Sequence, residues 1–181
     1  MIEGSVLKLD HLIANLLSFS RNNRLEHEVT EIRLKKLFEE NINEITRDEG
    51  SDFVVEFKIK DEIPFVSDAS RINIVIKNII SNAVKYRKRD ESQSFLKITV
   101  FTTNKKAVFI FQDNGEGITE ENQGQIFNMF FRASERSDGS GLGLYIVKNV
   151  VEKLQGTIVV ESEEKKGTTF TVELPNMIKE G

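Results

Sequence analysis

Two short glycine-rich segments, the first of which begins with a carboxylate, together suit a nucleotide pocket. The first is DNGEGI at 113–118 and the second is GSGLGL at 139–144. A carboxylate accepts a hydrogen bond from an exocyclic amine such as that of adenine, and glycines let backbone N–H groups approach phosphates or ring atoms that a Cβ would block. The second segment runs into the apolar-periodic stretch LGLYIVKNVVEKL, so its phosphate-facing end would lie at a helix N-terminus. Each segment alone is also an ordinary turn sequence, and neither fits a Rossmann or P-loop motif.

Residues 68–90 form a predicted helix upstream of these segments. Asp68 stands at the position of an N-cap, and the apolar residues that follow recur at helical spacing. They form one wide face, made by Ile72, Val75, Ile76, Ile79, Ile80, Ala83 and Val84. We therefore expect the helix to pack on a core through that face.

A polar stripe runs along the other side of this helix. Its members are Arg71, Asn78, Asn82 and Lys85, at offsets of seven, four and three residues. Neutral amide oxygens suit a Mg²⁺ ion whose charge phosphates already balance, because that ion takes few protein ligands. We therefore predict Asn82 and Asn78 as metal ligands, with Lys85 and Tyr86 near a phosphate tail. An amphipathic helix with two surface asparagines is the simpler alternative.

Taken in chain order, five blocks resemble the motifs of the ATP-binding catalytic domain of sensor histidine kinases. That domain belongs to the GHKL superfamily, which also holds DNA gyrase, MutL and the heat-shock chaperone ATPases. The blocks are NIISNAVKY at 78–86 (N box), DNGEGI at 113–118 (G1 box), IFNMFFR at 126–132 (F box), GSGLGL at 139–144 (G2 box) and GTTF at 167–170 (G3 box).

The resemblance implies both a fold and an activity. The fold would be an α+β two-layer sandwich of the Bergerat type, with a mixed sheet and helices on one face, which agrees with the strand-rich blocks interleaved with helices in this chain. The activity would be that of a protein-histidine kinase that uses ATP and Mg²⁺ in a two-component phosphorelay. The γ-phosphate would pass to a histidine on the dimerisation and histidine phosphotransfer domain of the same kinase, and then to an Asp of a response regulator receiver domain.

The resemblance also assigns roles at the phosphate end of the pocket. Asn82, Arg132 and Lys85 would be the catalytic residues. Asn82 would be the principal Mg²⁺ ligand, Asn78 a second ligand or phosphate contact, and Tyr86 would lie with Lys85 along the phosphates and ribose. Arg132 would reach the γ-phosphate and spread the charge that develops on it; the alternative is a solvated arginine after an aromatic cluster.

At the base end, the resemblance implies that Asp113 accepts from adenine N6 and that Thr168 helps through a bridging water. The remaining ATP-binding positions lie in the two glycine segments. They are Gly115, Gly117 and Ile118 in the first, and Gly139, Ser140, Gly141, Leu142, Gly143 and Leu144 in the second.

Asn78 separates this chain from other members of the superfamily. The ATPases and the serine-directed kinases carry a Glu there that acts as general base, and an asparagine cannot take a proton. The pocket therefore resembles one that holds ATP without hydrolysing it rapidly. This fits transfer to a histidine, whose neutral imidazole is already nucleophilic near pH 7. An ATPase or serine kinase is the first alternative, and a degenerate regulator-binding module without chemistry is the second.

Neither histidine of the chain matches the acceptor pattern of the family. His11 is followed by LIANL and His27 by EVTEI, whereas the acceptor precedes an acidic residue, a basic residue and a nearby Pro. We therefore expect no self-phosphorylation by this chain.

The chain also departs from the family motifs in three places. Asn128 and Met129 stand where the F box usually has Glu and Pro, and Lys165 stands where the G3 box usually has another Gly. The polar segment ASERSD at 133–138 should be a lid that orders around nucleotide, or else a plain surface loop. Residues 128, 129 and 165 are not expected to contact the base or the phosphates.

Composition favours a soluble domain of modest size. The chain has 181 residues, 39% hydrophobic and 30% charged, with no Cys, which permits one substantial core and agrees with a reducing compartment. The net charge of −4 argues against nucleic acid as a partner. With no apolar run of membrane-spanning length, we expect a cytoplasmic domain, and a membrane anchor elsewhere in a longer parent stays open.

An amphipathic stretch at the start of the chain indicates the first domain boundary. Leu9, Leu12, Ile13, Leu16 and Phe19 form a stripe that resembles the end of the second dimerisation helix. We therefore predict 1–22 as the remnant of that helix, 23–178 as the catalytic domain and 179–181 as a tail. The parent kinase would be a homodimer, and this fragment a monomer or weak dimer.

Alternation and turn residues predict the remaining elements. The expected strands are 29–34, 53–59, 95–103, 107–113, 157–162 and 168–174, and the expected helices are 34–46, 68–90, 119–125 and 141–154.

Overall fold

The computed structural model describes residues 28–47, 52–60, 63–88, 93–133 and 140–178. Within them, seven strands and four helices follow in the order β1 (Val29–Ile32), α1 (Leu34–Thr46), β2 (Phe53–Lys60), β3 (Phe65–Asp68), α2 (Ala69–Lys85), β4 (Ser94–Thr102), β5 (Lys106–Asp113), α3 (Glu120–Gln123), α4 (Gly143–Lys153), β6 (Thr157–Glu163) and β7 (Gly167–Pro175). The predicted dimerisation remnant at 1–22 and the tail at 179–181 lie outside the described residues. No helix of the described ranges is both long and apolar enough to cross a membrane.

The strands form one large sheet and one small one. The large sheet has the order β2-β4-β5-β7-β6, in which β2 and β4 run parallel and all other neighbours are antiparallel. The small sheet is the antiparallel pair of β1 and β3. The predicted α+β fold with a mixed sheet is confirmed.

Side chains alternate between the two faces of the large sheet along each strand, and those on one face pack into the hydrophobic core. In β7, the buried side is made by Thr168, Phe170, Val172 and Leu174. Helix α1 covers this face through Phe38, which is fully buried and whose ring lies 5.0 Å from Phe57, 5.5 Å from Phe109 and 6.0 Å from Phe111, measured between centroids. Helices α2 and α4 bury their apolar faces in the same core cluster, so these three helices lie on one face of the sheet, as predicted.

Helix α2 begins at a buried cap. Asp68 accepts a hydrogen bond from the backbone N of Arg71 at 3.0 Å, and its other carboxylate oxygen pairs with the Arg71 guanidinium. The N-cap prediction is confirmed. Arg71 aligns with the polar stripe in sequence but is only 4% exposed, so this member of the stripe stabilises the start of the helix.

Some boundaries differ from the sequence-based expectation. Strand β3, which has four residues, was not predicted. It is stabilised by residues more than a hundred positions away: Val66 N donates to Asn176 Oδ1 (2.9 Å), and Val66 O accepts from Met177 N (2.9 Å). Helix α2 ends at Lys85 and not at residue 90. Thr119 precedes α3 in an extended conformation, but its side chain makes no capping hydrogen bond.

Candidate nucleotide-binding site

Asp113 is the last residue of β5, the central strand of the large sheet, at the end where the motif segments meet. Its Oδ1 accepts hydrogen bonds from the backbone N of Gly115 (2.8 Å) and of Thr168 (3.2 Å). No described residue donates to its second oxygen, Oδ2. Burial raises the pKa of this carboxyl above its ordinary value, and the two N–H donors oppose that shift without reversing it. The site therefore holds a half-buried carboxylate with one oxygen fixed and one oxygen able to accept from a ligand.

The G1 turn that follows Asp113 is fixed by its neighbour, Asn114. The Asn114 Oδ1 accepts from Phe95 N at 2.8 Å, and its Nδ2 donates to Gln93 O at 3.1 Å. These bonds tie the turn to the start of β4. Sequence reasoning did not identify Asn114 as a supporting residue, although an asparagine before Gly is typical of a side chain that bonds to nearby backbone.

The end of helix α2 lies directly against this turn. Glu116 N donates to Tyr86 O at 2.9 Å, and a Cβ added to Gly115 would lie 2.5 Å from that same carbonyl oxygen. Position 115 therefore has to be glycine for the two segments to approach this closely. Gly117 and Ile118 continue the turn toward β6.

Asn78 and Asn82 lie one turn apart on α2, and both are half-buried. Asn78 Nδ2 donates to Ile74 O at 2.8 Å within the helix, which leaves Oδ1 as its outward group. That oxygen borders the first residue of α4, because a Cβ at Gly143 would lie 2.9 Å from it. No described residue forms a hydrogen bond with the Asn82 side chain. Both predicted metal ligands thus retain an amide oxygen without a partner among the described residues, and that of Asn78 lies next to the first residue of α4.

Lys85 and Tyr86 form a pair at the end of α2. The Lys85 ammonium lies 3.1 Å from the Tyr86 hydroxyl and 4.7 Å from the centroid of its ring. Tyr86 is 36% exposed. A positive charge is therefore held at the rim beside the G1 turn.

The F box and the G2 segment are joined through their backbones. Phe130 N donates to Gly141 O at 3.1 Å. Gly141 has φ +69, and a Cβ there would lie 2.7 Å from the Phe130 carbonyl carbon, so its conformation and its surroundings both require glycine. Because Gly141 is not helical, α4 begins at Gly143 and not at 141 as predicted.

The other predicted site residues of these two segments differ in their exposure to solvent. Leu142 is buried at 2% exposure and anchors the start of α4. Ser140 and Leu144 are half-buried, and Arg132 is exposed at the end of a described range. Gly139 lies outside the described residues, as do residues 134–138 of the predicted lid.

Ser162 of β6 is a further part of the site that sequence reasoning missed. Its Oγ accepts from Ile118 N (2.9 Å), donates to Gly167 O (2.9 Å) and lies 2.8 Å from Thr168 Oγ1. Gln123 supports the same point by donating to the Ser162 carbonyl at 2.8 Å. Alternation along β6 places Ser162 on the inner side, but nothing in its local sequence links it to residue 118.

Residues 67–178 match the family model described as histidine kinase-, DNA gyrase B-, and HSP90-like ATPase. The chain is 30% identical over 179 residues to the methanogenesis regulatory histidine kinase FilI of Methanothrix harundinacea (strain 6Ac), covering 97% of this chain and 20% of that protein. It is 37% identical over 137 residues to the autoinducer 2 sensor kinase/phosphatase LuxQ of Vibrio vulnificus (strain YJ016), covering 72% of this chain and 16% of that one. The chain thus spans about a fifth or less of the length of these relatives.

Among solved structures, the chain is similar to the catalytic domain of the histidine kinase ThkA in a nucleotide-free form. The TM-score is 0.69 at 28% identity, and the match covers 82% of this chain and 98% of that chain.

Proposed function

The chain belongs to the family of histidine kinase-, DNA gyrase B- and HSP90-like ATPases, as the catalytic domain of a two-component sensor histidine kinase, and on that premise we propose how its site works. It binds ATP with Mg²⁺ and transfers the γ-phosphate to a histidine of the dimerisation and histidine phosphotransfer domain. The phosphoryl group then passes to the Asp of a response regulator receiver domain.

The observation that carries nucleotide binding is the arrangement at Asp113. Two backbone N–H groups hold Oδ1, so Oδ2 is available to accept the exocyclic amine of adenine. A half-buried acceptor is selective for a donor, because an unpaired polar group there costs about 1–3 kcal/mol. Thr168 adjoins Asp113 and completes the base end of the pocket.

The phosphates lie toward the other end, between α2 and the start of α4. The G2 turn and the start of α4 would face them with backbone N–H groups at a helix N-terminus, and Lys85 and Arg132 would supply positive charge. Asn82, with Asn78 as second ligand, holds Mg²⁺, which fits two amides whose oxygens are free of hydrogen bonds within the described residues. When bound, the ion neutralises charge that develops on the transferred phosphoryl group.

Asn78 favours phosphotransfer over hydrolysis. An amide cannot deprotonate a water molecule, so no general base stands one turn before Asn82. A neutral imidazole acceptor needs no such base near pH 7. The histidine kinase assignment therefore fits this position better than an ATPase or a serine kinase.

Calorimetric titration with ADP, with and without Mg²⁺, tests the proposed site. We expect binding that Mg²⁺ strengthens in the unmodified chain, and an Asn82→Ala variant whose affinity no longer responds to Mg²⁺. Asn43→Ala, at an exposed asparagine of α1, is the matched control and should behave as the unmodified chain.

Two outcomes would count against the proposal. Absence of ADP binding would leave a regulator-binding module without nucleotide chemistry. Sustained release of phosphate from ATP by this chain alone, at a rate comparable to an ATPase cycle, would point to hydrolysis in place of transfer to histidine.

A further inference from the structure

Ser162 connects three groups that border the base end of the pocket. Its Oγ meets Ile118 N at 2.9 Å, Gly167 O at 2.9 Å and Thr168 Oγ1 at 2.8 Å. Ile118 lies in the G1 segment and the other two lie in the G3 segment, so this one hydroxyl joins the two segments that enclose the base.

The chemistry of these three neighbours fixes the direction of the hydrogen bonds. A hydroxyl has one hydrogen and two lone pairs. The Ile118 amide can only donate to Ser162, and the Gly167 carbonyl can only accept from it. All three bonds form at once only when the Ser162 hydrogen points to Gly167 and Thr168 donates its own hydrogen to Ser162.

Thr168 then has lone pairs but no hydrogen left for a ligand. Its neighbour Asp113 also offers only acceptor oxygen to the pocket, and the two residues are linked by the 3.2 Å bond from Thr168 N to Asp113 Oδ1. Thr168 is only 7% exposed, so water compensates poorly for a mismatched partner. Two neighbouring acceptors that both face position 6 of a purine match a 6-amino donor and oppose a 6-oxo acceptor.

We propose that Ser162 is a positioning residue for base selection, which orients the Thr168 hydroxyl so that the pocket takes 6-amino purine nucleotides and rejects 6-oxo ones. This inference rests on the proposed function, namely that the pocket binds an adenine nucleotide. In the absence of Ser162, the Thr168 hydroxyl would turn and donate its hydrogen to a 6-oxo group.

The test compares the Kd values of ADP and inosine diphosphate, both with Mg²⁺, in the unmodified chain and in Ser162→Ala. We expect the unmodified chain to prefer ADP and the preference to fall by about 5- to 10-fold in Ser162→Ala, the effect of about one neutral hydrogen bond. Ser162→Thr keeps the hydroxyl and should retain the preference. Ser67→Ala, which removes a buried strand serine in the small sheet, should leave it unchanged.

A second substitution isolates the route through Thr168. In a Thr168→Val background, Ser162→Ala should not change the ratio of the two Kd values any further, since the oriented hydroxyl is already gone. Thermal unfolding of each variant shows that it is folded under the conditions of the titration.

The outcomes separate this inference from the proposed function. If ADP affinity falls in Ser162→Ala while the ratio stays constant, Ser162 has a structural role only and the inference is wrong. The same holds if Ser162→Ala changes the ratio equally with and without the Thr168 hydroxyl. If the unmodified chain binds neither nucleotide, the proposed function itself fails.

Discussion

Replacing Asp113 by Asn should change nucleotide affinity and stability in opposite directions. In the proposed site the carboxylate accepts from an adenine amine, yet burial raises its pKa, so folding makes its charged form less favourable. The substitution keeps the size of the side chain and an oxygen for the N–H groups of Gly115 and Thr168. It replaces the second oxygen by an amide nitrogen, which is a hydrogen-bond donor and would face the adenine amine, another donor.

The expected loss of affinity follows from that mismatch. A hydrogen bond to a charged group contributes about 1.5–3 kcal/mol, which corresponds to about a 10- to 150-fold weaker Kd for ADP. Inosine diphosphate should lose less, because its 6-oxo group can accept from the new amide.

The sign of the stability change follows from linkage. Because the pKa of Asp113 is raised on folding, the native state holds more protons than the unfolded state between the ordinary value of 3.8 and the raised one. The free energy of unfolding therefore falls as pH rises through that window, and the cost of the charge is fully present above it. Asp113→Asn should be at least as stable as the unmodified chain at pH 7. The difference should vanish as pH falls to the ordinary pKa.

Two measurements check this pair of effects: ADP titration at pH 7, and urea unfolding at pH 7 and near pH 4. Glu161→Gln is the matched control, since it makes the same acid-to-amide change at an exposed position of β6, and it should alter neither quantity. Loss of both affinity and stability at pH 7 would refute the reasoning, because it would mean that the charged carboxylate holds the turn together and that the affinity change reflects a damaged fold.

Three other substitutions probe packing and backbone geometry. Phe38→Ala should lower the free energy of unfolding by about 3–5 kcal/mol in urea titrations, since its buried ring touches three others, while Phe130→Ala, at a side chain 54% exposed, should cost far less. Gly115→Ala should weaken ADP binding about tenfold or more by calorimetry, because the new Cβ would lie 2.5 Å from a backbone oxygen and such crowding costs about 1–3 kcal/mol. Unchanged affinity would mean that the turn moves freely to accommodate the methyl group. Lys165→Gly should raise the free energy of unfolding by up to about 1 kcal/mol, because residue 165 has φ +62, whereas the neighbouring Glu164→Gly should lower it.

Periodicity predicted those parts of the fold in which each element carries its own signal. Helix α1 was predicted with the bounds that the structure has, and the strands of the large sheet within one or two residues. Asp68 was correctly predicted as a cap because its partner is only three residues away. These are local features, and a pattern of apolar and polar residues contains them.

Features that depend on distant contacts were missed for the same physical reason. Strand β3 is held by Asn176, whose side chain also donates to Pro64 O (2.8 Å) and Thr103 O (2.9 Å). Ser162 meets Ile118 across 44 positions of the chain. A polar residue in a local window does not reveal its partner at such a separation, so these supporting roles appear only when the chain is folded.

Lys165 shows how a departure from a family motif can keep the backbone geometry of that motif. The family usually has glycine there, and the chain keeps the left-handed backbone that glycine would favour although the residue is lysine. The reason lies in its backbone N, which donates to Glu116 O at 2.6 Å, while Glu116 N donates to Tyr86 O at 2.9 Å. The β6–β7 turn, the G1 turn and the end of α2 are thereby connected through Glu116, and the bond offsets part of the strain at residue 165. At this exposed position the backbone path around the proposed base pocket is thus formed by a lysine in place of the usual glycine.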